Sequence, residues 1–237
     1  MPDVTTVRPS ATLRAGHRAD ARSRMMQALL ALATAVSVLA LALLTLLLPA
    51  YMHPALDLAA APNALAMTSE EARAMSDGTV TELLFGPGTF RFEDPSGQTF
   101  YGAAEAAHMQ DVRLVLYAFL SLALASGALL LITALRARRD PSIWQAIARG
   151  GAGLAVGLGV VGAFALLAFN VAFELFHQLL FPGGNWVFDP ASQRLVQLYP
   201  LAFWQLTAAA LGVLGIGGGL AVWAVAGRRA RRLASER

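Results

Sequence analysis

Three observations predict an all-α membrane protein, with four transmembrane helices and a small, mainly helical extracytoplasmic domain between the first and second. Over 237 residues the chain is 57% hydrophobic and only 14% charged, a balance that suits acyl chains as solvent better than water. Four long runs are almost free of charge. All 18 basic residues are arginine, and most gather in three clusters beside those runs. With no cysteine present, disulfides, thiolate metal sites and thiol nucleophiles are excluded. Arginine clusters next to apolar runs mark membrane topology, so no nucleic-acid partner is expected.

The elements follow in order. Residues 1–24 form a basic tail with Arg14, Arg18, Arg22 and Arg24, and 25–48 form the first span. Twenty-four residues at about 1.5 Å each cover the ~30 Å hydrocarbon layer with some tilt. This run exceeds the apolar core of a signal peptide, so it reads as an uncleaved anchor, although the small residues of LDLAAAPNALA resemble a cleavage site. Residues 49–111 carry nine acidic side chains against Arg73 and Arg91, as a folded, solvated excursion would. Within it Thr68 stands three residues before Glu71, a capping box opening a helix toward Leu83. GPGT and DPSGQ read as turns. From Gly102 no helix breaker intervenes, so one helix enters the second span at 112–135 and leaves His108 at its outer mouth.

A cytoplasmic loop, 136–149, holds Arg136, Arg138, Arg139 and Arg149, with Asp140 as N-cap and Pro141 at the first helical position. The third span is 150–176, followed by an extracytoplasmic loop at 177–201, the fourth span at 202–226 and a basic tail at 227–237. The three arginine clusters belong on one side, the cytoplasm, which places both termini inside a bacterial cell (inner) membrane. Gly153 with Gly157 and Gly215 with Gly219 stand at the interval that lets spanning helices approach closely.

One constellation recurs. Glu105 and His108 end the second span, Glu174 and His177 end the third, and a spacing of three sets each pair on one helical face. Asp111 follows His108 by three, and Asn170 extends the Glu174–His177 stripe. A single such pair reads equally well as an interfacial anchor. Two at one depth on one side read as a shared site, since ionisable groups near lipid turn to the bundle interior. His53, beside Pro54, is a further candidate, whereas His17 belongs to the basic tail.

Paired Glu-x-x-His motifs suit di-iron bundles, yet the first and fourth spans supply no carboxylate. Zinc on two histidines with a carboxylate is a second possibility, and a non-enzymatic scaffold contacting partners through its acidic outer domain a third. Without metal or other cofactor, two near-neutral imidazoles are the parts of a general acid and base for acyl transfer.

The run EAAHMQDV, followed after a span by FHQLLFPGGNWVFDPASQRLVQLYPLAFW, resembles the bacterial four-span integral membrane family that includes the lipoprotein intramolecular transacylases. The resemblance implies that an ester-linked acyl chain migrates from the glyceryl group of a diacylated lipoprotein, or another lipid substrate, to the N-terminal cysteine amine. By motif, the two reactive histidines of that family fall on His108 and His177. Glu105 or Asp111 is then expected to orient His108 as base, with Glu174 holding His177 as acid, or the same pairs serve with base and acid exchanged. Asn185, Trp186 and Asp189 are expected to shape the rim.

Overall fold

The computed structural model describes residues 11–236, with side chains from Arg22 onward. Arg14, His17 and Arg18 therefore lie outside the residues whose side chains are described. Nine helices run in the order α1 (Ala11–Leu46), α2 (Pro49–Leu58), α3 (Ala61–Leu65), α4 (Ser69–Leu84), α5 (Ala103–Arg136), α6 (Pro141–Leu167), α7 (Phe169–Leu180), α8 (Arg194–Leu198) and α9 (Leu201–Ser235) among the described residues. The one β-type pairing among them is an isolated bridge, Glu93 with Thr99. Four helices have the length and apolarity to cross a membrane: α1 from Arg22, α5, α6 and α9. Leu114, Leu124, Val160 and Val213 stand outward on them, where acyl chains are their solvent.

Backbone contact joins α6 to α9. A Cβ on Gly151 would meet the Gly219 carbonyl at 2.4 Å, and one on Gly219 would meet that of Gly151 at 2.6 Å. Gly150 stands equally close to the Ala31 carbonyl of α1, at 2.3 Å, and Gly215 lies under Leu158. The expected pair Gly153 and Gly157 does not take this role, because neither has a heavy atom within 4 Å of a built Cβ. At the arginine-rich end Arg149 donates to Gln27 and Arg229 stacks on Trp144 at 4.4 Å, so α1 at Gln27, the first turns of α6 and the end of α9 converge there.

At the opposite end lies a compact apolar core. Leu56, Leu65, Met75, Phe90, Phe100 and Leu198 are buried together between α2, α3, α4, α8 and the 86–102 segment. Thr68 caps α4 in the reciprocal box its spacing predicts: its hydroxyl accepts from Glu71 N, and its own N–H donates to the Glu71 carboxylate. Arg113 ties this domain to α5, donating to Gly86 O and Tyr117 Oη, while Tyr117 in turn donates to Leu84 O.

The third span departs from its expected course. It begins at Pro141, capped by Asp140 Oδ1, and ends at Leu167, where Ala168 (φ −147, ψ 55) breaks the helix. The remaining turns form the separate α7. Alanine favours helix, so no local preference explains the break. Along α7 the four-residue stripe Phe169, Phe173 and His177 places its rings in succession, with centroids 6.0 and 4.2 Å apart.

Candidate active site

His108 lies on the second turn of α5 and His177 near the end of α7. The two imidazoles stack at 6.3 Å between centroids, 26° from parallel, and are only 5% and 9% exposed. The loop 181–190 closes over them. Its turn is made by Pro182, Gly183 and Gly184, the last at φ +72, a conformation that favours glycine; Gly184 N–H donates to Phe181 O. Phe181 and Phe188 then meet the His108 ring edgewise at 4.9 and 5.5 Å, and Trp186 lies 5.0 Å from His177. The result is an aromatic chamber around two nitrogen heterocycles. Phe181 and Phe188 are not among the residues that spacing singles out, although the aromatic density from Phe173 to Phe188 is a signal for them.

The two rings are oriented differently. His177 Nδ1 lies 2.8 Å from the Phe173 carbonyl, one turn back on α7. A carbonyl can only accept, so Nδ1 carries the proton and Nε2 keeps the lone pair. His177 lies beyond the four spans, and burial pushes its pKa down, with the Phe173 carbonyl opposing in part, which keeps the ring neutral near pH 7. Among the described residues His108 makes no such backbone bond, and its buried Nδ1 has no hydrogen-bond partner.

The acidic members of the pairs are engaged elsewhere. Glu105, 4% exposed, accepts from Gly102 N at 2.7 Å through one oxygen and from Leu195 N at 2.7 Å through the other. It closes the start of α5 and fastens α8 to it. Glu174 is exposed and accepts from Gln178 Nε2 at 3.0 Å, and Asn170 is exposed as well, so His177 alone of that stripe turns inward. Asp111 accepts from Asn185 Nδ2 at 2.6 Å, which brings the loop onto α5 one turn beyond His108. Asp189 shapes its turn, accepting from Ala191 N and Ser192 Oγ. His53 pairs with Asp77 at 2.9 Å, joining α2 to α4 within the outer domain. Among the described residues no three histidine, aspartate or glutamate side chains gather closely enough to hold a metal ion.

Four apolar spans, with two adjacent buried imidazoles enclosed at one end, define a multi-pass membrane protein with a candidate site at the rim of its bundle. The chain belongs to the lipoprotein intramolecular transacylase family, whose model matches residues 28–204. It is an integral membrane enzyme of the transacylase type. Three solved structures of the membrane integral lipoprotein intramolecular transacylase from Bacillus cereus share the fold. One is 19% identical, covers 92% of this chain and 98% of that one, and superposes with a TM-score of 0.74. A variant with one histidine replaced by arginine gives 0.70 at 19% identity, covering 96% and 100% of the two chains. The corresponding alanine variant gives 0.65 at 21% identity, covering 96% and 98%. Among curated proteins none matches the sequence.

Proposed function

We propose that the chain moves an acyl group from the glyceryl ester of a diacylated lipoprotein to its N-terminal amine, at the outer leaflet of a bacterial inner membrane. The observation that carries this reading is the pair of stacked, buried imidazoles beneath an aromatic loop. Sidedness is supported by the arginine clusters converging at the opposite end of the bundle, which puts the termini in the cytoplasm and the histidines at the outer rim. A lipoprotein presents its acyl glycerol at that depth.

The proton balance suits two neutral bases. An N-terminal ammonium sheds one proton to become a nucleophile and a second when its nitrogen bonds to the ester carbonyl carbon. As the bond from that carbon to the glyceryl oxygen breaks, the oxygen takes one proton back. His108, through its unpartnered Nδ1, takes the first. His177, with Nδ1–H fixed on Phe173 O, takes the second at Nε2 and returns it to the glyceryl oxygen. The products are an amide, a free glyceryl hydroxyl and one proton left for water. The aromatic walls exclude water, which would otherwise hydrolyse the ester.

Coexpression with a defined diacylated lipoprotein, followed by mass spectrometry of its N-terminal peptide, tests this. The native chain transfers an acyl group to the amine. His108→Ala and His177→Ala are each expected to lower transfer by about 10²–10⁴-fold at unchanged protein abundance. Native rates in either variant contradict the assignment.

A further inference from the structure

Glu105, one turn before His108, does not orient it: its carboxylate is held by two backbone N–H groups, and the Nδ1 of the imidazole has no partner among the described residues. A ring buried to 5% exposure with one nitrogen idle needs its tautomer fixed through the other nitrogen if the idle one is to be a dependable base. Asn185 is placed for this. It follows Gly184, whose left-handed backbone turns the chain back over α5. Its Nδ2 donates to Asp111 Oδ2 at 2.6 Å, and Asp111 stands one helical turn after His108 on the same face. Phe181 and Phe188 of the same loop meet the His108 ring edgewise at 4.9 and 5.5 Å, so Asn185, between them in the chain and bonded to Asp111, is carried to the side of that ring. Because a carboxylate can only accept, Asp111 commits the amide nitrogen, and Oδ1 is the atom left to receive an imidazole N–H.

We propose that Asn185 is a positioning residue that couples Asp111 to His108. Its Oδ1 accepts the Nε2–H of His108 while its Nδ2 donates to Asp111, so the Nδ1 lone pair points to the substrate ammonium. Asp111 thereby acts on His108 through an amide, whose orientation it sets. The inference rests on the proposed reaction for its kinetic consequence, but the tautomer itself is readable without turnover. The closing loop thereby gains a chemical role. Displacing an outer-shell partner of this kind commonly lowers activity 10- to 100-fold.

The test uses full-length protein in lipid bicelles with ¹⁵N-labelled histidine, the His108 signals being assigned by their loss in His108→Ala. The native ring is expected as the Nε2–H tautomer. Asn185→Ala is expected to give a mixture of tautomers, a kcat about 10- to 100-fold lower and a KM within about threefold of native. Exchanging the pair, Asn185→Asp with Asp111→Asn, keeps an acceptor for His108 and a donor between the two positions. It should restore the tautomer and at least tenfold of the rate lost in Asn185→Asp alone, which sets two carboxylates face to face. The exchanged pair carries the test if the alanine variant does not fold.

An unchanged ¹⁵N spectrum in Asn185→Ala, or an exchanged pair no better than Asn185→Asp, overturns the proposal. The two readings fail separately. A fully active His108→Ala refutes the base role while the tautomer shift still decides the link. An inactive His108→Ala beside a native Asn185→Ala refutes the link alone.

Discussion

The two Glu-x-x-His pairs share a spacing, an end of the bundle and a buried imidazole, and they differ in what the carboxylate does and in what orients the ring. At the head of α5 both members are buried, and the carboxylate serves the backbone: Glu105 holds Gly102 N and Leu195 N, two points ninety-three residues apart. On α7 only the histidine is buried; Glu174 stands outside with Gln178, and a carbonyl of the same helix orients the ring. One motif thus does two jobs. Spacing sets residues on a face, but the neighbour that meets the face decides whether a carboxylate braces the fold or decorates it.

The largest effect that sharpens this contrast is expected at Glu105. Glu105→Ala strands the buried Leu195 N–H and frees the part-buried Gly102 N–H, and a hydrogen bond to a charged group is worth about 1.5–3 kcal/mol, so unfolding stability should fall by roughly 2 kcal/mol or more. Thermal unfolding in detergent, read beside membrane abundance, measures it. A variant as stable as the native protein would erase the distinction between the pairs.

Next is the titration of His177. Burial lowers its pKa, and the ring must be neutral to accept a proton, so transfer should persist as pH falls through 6.5 and decline only below it. Trp186→Ala opens that side of the ring and should move the decline upward toward 6.5. A decline that stays in place would mean that Trp186 does not contribute to the burial. The smallest effect is expected at Glu174, whose replacement by alanine removes one exposed hydrogen bond and should change stability by less than about 0.5 kcal/mol, with the His177 titration unmoved.

Much of this architecture is written locally in the chain. Apolar run length fixes the four spans, the Thr68 and Asp140 caps fix two helix starts, and the recurring spacing singles out His108 and His177. What escaped is set by distant partners. Nothing near Glu105 announces that Leu195 will claim its second oxygen, and nothing near Ala168 announces a break that an alanine does not favour. The glycines make the same point. Gly153 and Gly157 carry the familiar interval, yet Gly150 and Gly151 meet the neighbouring backbones, because helix rotation is decided by the packed bundle and not by the interval. Asn185 could be read only as a rim residue, since its partner Asp111 lies seventy-four positions earlier.

The central claim is that His108 and His177 work as one unit on one substrate, and a double-mutant cycle on acyl transfer tests it most directly. Each alanine variant is measured alone and the two together, with the lyso-form lipoprotein quantified by mass spectrometry. Groups that serve a single reaction are grossly non-additive, so the double variant should be no more than about tenfold slower than the worse single one. A double variant whose loss equals the product of two large single losses would describe two independent contributions, and would contradict the shared chamber as the seat of the chemistry.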